Sequence, residues 1–586
     1  MDASSIYFIL IPVLASLVLF CIPKKFEGVN KALFVAAAIF NIAAVLVFFG
    51  KDIAANFPWA AFGFSFSILT SSLKEILLII SAVFALLTAI FTICNPQGTS
   101  KVKLFNASVL LALGFANGAV LTNSLVFLLI FIEALAIPFI LMILSSDNDN
   151  KKLAVKAFVI TAVADLFLML GIGIVYALSK TVQISDISLA LSGGQAKAAF
   201  IFMVIGAAGK LGAMPFHSWM PEAAEKTSVG FLVFMATAVE KVLGIYILYV
   251  AIKIFNVAPG AVAWQLLAAV ALGALVAALL SNSQNSFKKM LIYTSISQGG
   301  FMMLAMLTAV PVAIAGAVFH LLAHTVYKSA LFFGAGILEE SKSETVSYKN
   351  NVYIFICFTL AVASFIGVPL FAAFYSKELV YEGAFAAGIV WYAALVLVTF
   401  FCSSAVLNWF GKIFFNNNSE TKQYSVTSMI AALTASFLCL LLGVFSNIPE
   451  HVIGKAVPFT QEHSGVLIFA VSISALLIVV VNFIIGSVKN NGLGFVSPIV
   501  KYLGINKLDE TQKADPYELA ISFYKKFAAA SFNFDKLLNK VYDVVIPSAA
   551  LKTAAALKNI HNGDTTRYIL WVLAAIVVAV IFFVFS

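Results

Sequence analysis

Apolar stretches, most of them close to the twenty residues that cross a bilayer, divide the chain with polar intervals between them. They fall near 4–22, 30–50, 64–94, 104–121, 123–145, 155–178, 198–221, 228–255, 262–281, 288–307, 310–338, 352–382, 388–411, 426–446, 465–488 and 567–586. The pattern predicts an all-α polytopic membrane protein with about 16 transmembrane helices. Between 489 and 566 the pattern changes. Apolar patches such as Leu519-Ala-Ile-Ser-Phe-Tyr alternate with Lys525-Lys526, and Phe534 to Asp543 carries helical periodicity. This segment predicts a long amphipathic lateral helix on the inner membrane face, up to ~70 Å at ~1.5 Å per residue. Pro516 and Pro547 divide it, and the last stretch re-anchors the chain.

Composition agrees with that class. Hydrophobic residues make up 62% of the 586 positions and charged ones 11%, with a mean hydropathy of +1.03. A soluble domain of this size carries far more charge. Lysine placement orients the spans. With the N-terminus outside, inner loops hold Lys24, Lys25 and Lys31, then Lys101 and Lys103, then Lys151, Lys152 and Lys156. Later inner loops hold Lys342, Lys349, Lys412 and Lys422, whereas outer loops offer Lys51, Lys180, Lys197, Lys253 and Lys455. The positive-inside rule then puts both termini outside and the lateral helix on the cytoplasmic face of the cell's inner membrane. The net charge of +9 follows from topology and gives no reason to expect nucleic acid. The opening Met-Asp-Ala-Ser-Ser lacks a basic n-region, so the first span is expected to stay as an anchor.

Cys21, Cys94, Cys357, Cys402 and Cys439 are scattered singly. Without a C-x-x-C pair or a Gly-rich phosphate loop, neither a metal or iron–sulfur site nor a nucleotide site is expected on this chain. Whatever drives it is expected on other subunits.

The chemistry lies in ionisable groups inside spans. Lys210-Leu-Gly-Ala-Met-Pro-Phe-His-Ser-Trp-Met-Pro221 puts a lysine beside Pro215 and Pro221, which predicts a broken helix. A charge at the bilayer centre costs roughly 2.5–3.5 kcal/mol on insertion scales, so it is seldom incidental. Glu133 lies in the middle of the fifth span and Asp165 about two turns into the sixth. Glu133 and Lys210 read either as a structural pair or as a proton switch, in which each holds the other's charge. Glu240 and Lys241 are adjacent, point different ways on a helix, and need other partners. Lys288-Lys289 opens the tenth span. His320, His324 and Lys328 at i, i+4, i+8 line one face of the eleventh. A row of titratable groups reads as a proton relay. The metal reading lacks a carboxylate and meets a repelling lysine, and packed histidines are the plain alternative. Gly367 and Pro369 interrupt the twelfth span just before Lys377-Glu378. Two interrupted helices about 170 residues apart suggest a duplicated five-helix unit whose copies, five being odd, are inverted. The first three spans read as plain peripheral helices.

At this point the residues resemble a known family. Ala-Ala-Gly-Lys210-Leu-Gly-Ala-Met-Pro-Phe-His-Ser-Trp-Met-Pro-Glu222 is similar to the signature of antiporter-like subunits of respiratory complex I, energy-converting hydrogenases and multisubunit cation/proton antiporters. Glu133, Lys156-Ala-Phe-Val-Ile-Thr with Asp165, and Lys288-Lys289-Met-Leu-Ile-Tyr-Thr-Ser-Ile-Ser-Gln298 add to the likeness. So do Phe319-His-Leu-Leu-Ala-His-Thr-Val-Tyr-Lys328 and Phe374-Tyr-Ser-Lys377-Glu378, and together these cover about 120 to 415. The lateral segment, Phe534-Asp535 and Asn562-Gly563…Arg567-Tyr568 resemble the distal L-type member. The resemblance implies fourteen core helices in two inverted repeats plus flanks, with Glu133–Lys210 as the switch of one half-channel. It implies Lys288, the His320/His324/Lys328 row and Lys377 as a central axis and exit. Flavin, iron–sulfur clusters or a nickel–iron centre would sit on a peripheral redox arm, and further antiporter-like subunits would be neighbours in the membrane arm. Ala162, Phe234 and Ser286 stand where family members often have arginine, histidine and aspartate, so the input side is expected to be wired differently, with Lys241 replacing the missing base.

The expected organisation is 1–103 flanking spans, 104–255 and 262–415 as the two half-channels, 426–488 flanking spans, 489–566 lateral helix and 567–586 anchor. The leading expectation is a proton- or sodium-translocating subunit of a redox-driven pump. A gradient-driven Na+/H+ antiporter subunit and a mainly structural clamp are the alternatives.

Overall fold

Helix formation follows the apolar stretches closely, and where it departs the backbone supplies the reason. The computed structural model of the chain describes residues 6–51, 53–58, 65–94, 101–146, 150–340, 345–346, 348, 351–415 and 425–459, and parts of 473–560 and 565–585. The N-terminal flank contains α1 (Tyr7–Cys21), α2 (Glu27–Phe48) and α3 (Ser72–Cys94). Five spans follow: α4 (Val102–Leu121), α5 (Leu125–Leu144), α6 (Lys151–Ser179), α7 (Gly193–Leu211) with the short α8 (Met220–Lys226), and α9 (Val229–Ile254). Five more repeat the plan: α10 (Trp264–Ser281), α11 (Phe287–Leu307), α12 (Pro311–Glu340), α13 (Val352–Ile366) with α14 (Ala372–Ala387), and α15 (Ile389–Phe414). In each set the fourth span is the broken one. Then come α16 (Val426–Val444) and the short α17 (Asn447–Ala456). Among the described residues, 11 helices are long and apolar enough to cross a membrane. Shorter apolar helices include α1 and α13.

Two expectations about the flanks change. The stretch at 64–94 is not helical throughout: Ser65–Leu69 is a strand (β2) paired antiparallel with Ala54–Pro58 (β1). Its Ser-Phe-Ser-Ile-Leu alternation has the two-residue period of a strand. The third span is also not plain. Lys74 is buried in α3, and its amine donates to the carbonyls of Leu69 at 2.8 Å, Leu121 at 3.1 Å and Thr122 at 3.0 Å. It thereby ties the hairpin to the C-terminal end of α4, where carbonyls lack helical partners and a cation is favoured.

The core sits on α9, α11 and α12. Side chains of α11 from Met290 to Leu307 and of α9 from Val229 to Leu248 are buried all round. These central helices carry the buried Glu240, Lys241, His320, His324 and Lys328, whereas α5 and α6 show Ile130, Ile137, Phe158 and Leu166 to the outside.

Residues Lys513–Ser586 form a separate compact unit. It holds α18 (Ile546–Ile560) and α19 (Thr565–Phe585), and the described positions between 517 and 540 are helical. Much of the expected lateral helix, including Pro516, Phe534-Asp535 and Asn562-Gly563, lies outside the described residues.

Candidate functional site

Broken helices expose carbonyls, and buried lysines take them. α7 stops at Leu211 because Gly212 turns left-handed (φ +60). The prolines do not make the break: Pro215 lies in the linker and Pro221 is in the first turn of α8, where no backbone donor is needed. Leu211 therefore belongs to the last turn of α7, whose carbonyls have no helical acceptor role left. Its carbonyl accepts a hydrogen bond from the Lys241 amine. The second break repeats the device. α13 ends at Ile366, where Gly367 turns left-handed (φ +87), with Pro369 following in the linker. The Phe365 carbonyl in its last turn accepts from the Lys377 amine at 2.6 Å. In both cases the helix C-terminus offers partial negative charge to the ammonium.

Lys210, one residue before the first break, is buried and pairs with Asp165 at 2.8 Å. This revises the expected pairing. Glu133 is within electrostatic reach of both groups, but among the described residues it makes no direct ion pair with Lys210. Its side chain lies on the outer flank of α5 instead. A second acid, Glu240, is fully within the protein, buried and electrostatically coupled to Lys210, Asp165 and Lys241. A π-helical turn over Leu232–Val239 rotates the residues beyond it relative to a regular α-helix, which sets the faces that Glu240 and Lys241 occupy.

From Lys241 the row crosses to α11 and α12. At Gly299 of α11 an added Cβ would lie 2.9 Å from the Leu211 carbonyl oxygen and 3.0 Å from the Lys241 amine, so the glycine makes room for this junction. Beyond it, the α12 face meets a matching polar face of α11. Lys328 donates to the Leu291 carbonyl at 2.7 Å and to the Thr294 hydroxyl. His324 Nε2 lies 3.3 Å from the Ser295 hydroxyl. His320 Nε2 donates to the Gln298 side-chain carbonyl at 2.8 Å, and Nδ1 accepts from the Ser376 hydroxyl at 2.9 Å, one residue from Lys377. All three α12 groups are fully buried. Lys377 and Glu378 then line an open crevice, with Tyr381, Thr399 and Ser403 among its walls.

Lys288 does not stand within this row. It is the second residue of α11 and pairs with Glu339, near the end of α12, at 2.6 Å. Lys289 pairs with Glu225 at 2.9 Å, and Lys156 approaches Glu222 at 3.6 Å, so alternating charge rims this end of the helices. Ser286 caps α11, its hydroxyl accepting from the Lys289 backbone N–H.

The sequence marks Glu240 only as a residue that needs a partner, and it gives no sign of Gly299. Gln298 had appeared only as the last letter of a motif, though an amide inside an apolar span was signal enough. Nothing local marked Gly299, since its role depends on two other helices.

The chain has relatives in sequence and in fold. Residues 122–403 match the family described as NADH:quinone oxidoreductase/Mrp antiporter, transmembrane. Subunit N of NADH-quinone oxidoreductase from Laribacter hongkongensis is 28% identical over 321 residues, covering 52% of this chain and 65% of that protein. The Desulforudis audaxviator subunit N is 26% identical over 419 residues, covering 67% and 83%. The chain thus spans just under two thirds of the first relative. Among solved structures, a chain of the Mrp complex from Dietzia sp. superposes with a TM-score of 0.71 at 19% identity, over 81% of this chain and all of that one. A chain of respiratory complex I from Thermus thermophilus gives 0.67 at 21%, over 77% and 98%. A chain of the archaeal membrane-bound sulfane sulfur reductase gives 0.71 at 18%, over 98% and 100%. All three are chains of multisubunit membrane complexes, and at these identities the likeness is one of fold.

Proposed function

We propose that this chain, an antiporter-like multi-pass membrane subunit homologous to subunit N of NADH-quinone oxidoreductase, moves protons across the membrane as part of a complex I-like redox-driven pump. One observation carries the reading: buried titratable side chains succeed one another from Asp165–Lys210 through Glu240 and Lys241 to His324, Lys328, His320 and Lys377. Such groups inside a membrane protein mark ion paths. Each lysine rests on a carbonyl or a carboxylate that can hold its charge. Residues 104–255 and 262–415 would serve as two half-channels joined at Lys241. Glu133 would gate the first from its flank, acting on the Asp165–Lys210 pair by its charge. Lys288 and Glu339 would mark one mouth, and Lys377 with Glu378 the other. The redox centres would reside on a peripheral arm, and the inner membrane would be the site of action, with both termini outside.

Glu133 also supports a neighbour. A carboxylate exposed among Ile130, Ile137 and Phe158 at mid-span would face lipid tails, which is costly. A partner membrane subunit is therefore expected to cover α5 and α6. Carbodiimide should label Glu133 in the isolated chain and spare it in the assembled complex; equal labelling in both would remove the argument.

The engine is tested by purifying the native protein in mild detergent and identifying what accompanies it. Subunits with flavin or iron–sulfur centres, or a nickel–iron pair, are expected. If only small membrane subunits accompany it, the driving force is an ion gradient and the redox reading fails.

A further inference from the structure

A second polar feature lies outside the row. α10 ends at Ser281, and the Asn282 side-chain amide donates to the Ala278 and Phe401 carbonyls, both at 2.9 Å. Phe401 is halfway along α15, about 20 Å from either end at 1.5 Å per residue. The Asn282-Ser283-Gln284-Asn285-Ser286 loop thus starts at the middle of α15. It runs back to Phe287, whose ring lies 5.7 Å from that of Trp409. Non-helical polar backbone at such depth is tolerated where it is buried in protein or lines water.

The face of α15 beside it is polar too. Phe401, Ser404 and Asn408 are spaced i, i+3, i+7 and share one side of the helix. Asn282 Oδ1, Ser404 Oγ and Asn408 Nδ2 are buried and have no hydrogen-bond partner among the described residues. The residues themselves are 7%, 2% and 5% exposed. With the Asn282 amide nitrogen bonded to the Ala278 and Phe401 carbonyls, its oxygen is left without a partner among the described residues.

We propose that Asn282, Ser404 and Asn408 hold a chain of water that forms a second inlet to the central row, from the end where Lys288 pairs with Glu339. The set mixes acceptors with a donor and has no carboxylate. Water both donates and accepts and satisfies all three, whereas a metal cation would meet an amide N–H. The inlet ends at the midpoint of α15, where Cys402 lies beside Ser297 and Gln298, and Gln298 holds His320. Protons arriving here would join the row at His320 without passing Asp165 and Lys210. The transport role rests on the proposed function; the water site does not.

Hydroxyl-radical footprinting of the intact complex tests the site. Buried Phe401 and Cys402 should be labelled in the wild type through adjacent water, and the S404A/N408L variant should lose most of that label. Absence of label in the wild type would overturn the proposal. The same variant should also slow proton translocation several-fold in proteoliposomes while assembling normally. Label lost with translocation unchanged would reduce the water to a structural one and overturn the inlet. If the wild-type complex moves no protons, the proposed function fails, while footprinting still decides the site.

Discussion

Replacing Lys210 with methionine is expected to cut proton translocation by the assembled complex to about a tenth or less, at least ~1.4 kcal/mol on the barrier. The lysine is buried and its amine is the direct partner of Asp165. Methionine keeps the stem and removes the charge. Asp165 is then left buried without a counter-ion, and breaking a buried pair from one side costs about 3–5 kcal/mol. K210M should therefore also lower thermal stability. That second effect can be separated from the first. D165N/K210M removes both charges, and neutralising a pair together is far cheaper than orphaning one member. The double variant should regain most of the lost stability and none of the lost translocation. Should translocation return with stability, the pair is a structural clamp and the pathway does not run through it.

How far such sites could be read in advance depended on the range of the interaction. The Lys210 break, the His320/His324/Lys328 face and the Gly367 break were legible, because each is set by spacing along one helix. The exact stopping point of α7 was not. Proline signals a break that glycine makes, since the left-handed turn at Gly212 ends the helix before either proline is reached. Faces past Leu232–Val239 were illegible for a different reason: a π-turn shifts the helical register, so Glu240 and Lys241 cannot be placed by counting in steps of 3.6. Asp165 was recognised as a candidate, yet its precedence over Glu133 at Lys210 depends on how α6 packs on α7. The small residue Gly209 permits that approach, since a Cβ there would lie 2.2 Å from that of Ala164. Lys74 and the hairpin it anchors were hidden by an apolar stretch whose first residues alternate and whose remainder is helical.

The junction between the halves is expected to be almost as sensitive as Lys210, at a residue with no side chain. In G299A the new methyl would sit 2.9 Å from the Leu211 carbonyl oxygen and 3.0 Å from the Lys241 amine. The carbonyl belongs to a helix end packed against Gly244, where an added Cβ would touch Leu211 at 2.5 Å, so it has little room to retreat. The amine is the free end of a flexible chain, and it is the group that will move. Its bond to Leu211 is then lost, and with it the link from Glu240 to the charges on α12, on which Lys241 acts electrostatically. Translocation should fall by about tenfold, ~1.4 kcal/mol on the barrier, with little change in assembly. The cause is testable by a double-mutant cycle. If the methyl acts by displacing the amine, G299A should add nothing to K241M, because the group it displaces is already gone. Losses that instead multiply would mean that the methyl forces α11 away from α7, and Gly299 would then be a packing residue between helices with no part in passing the proton on.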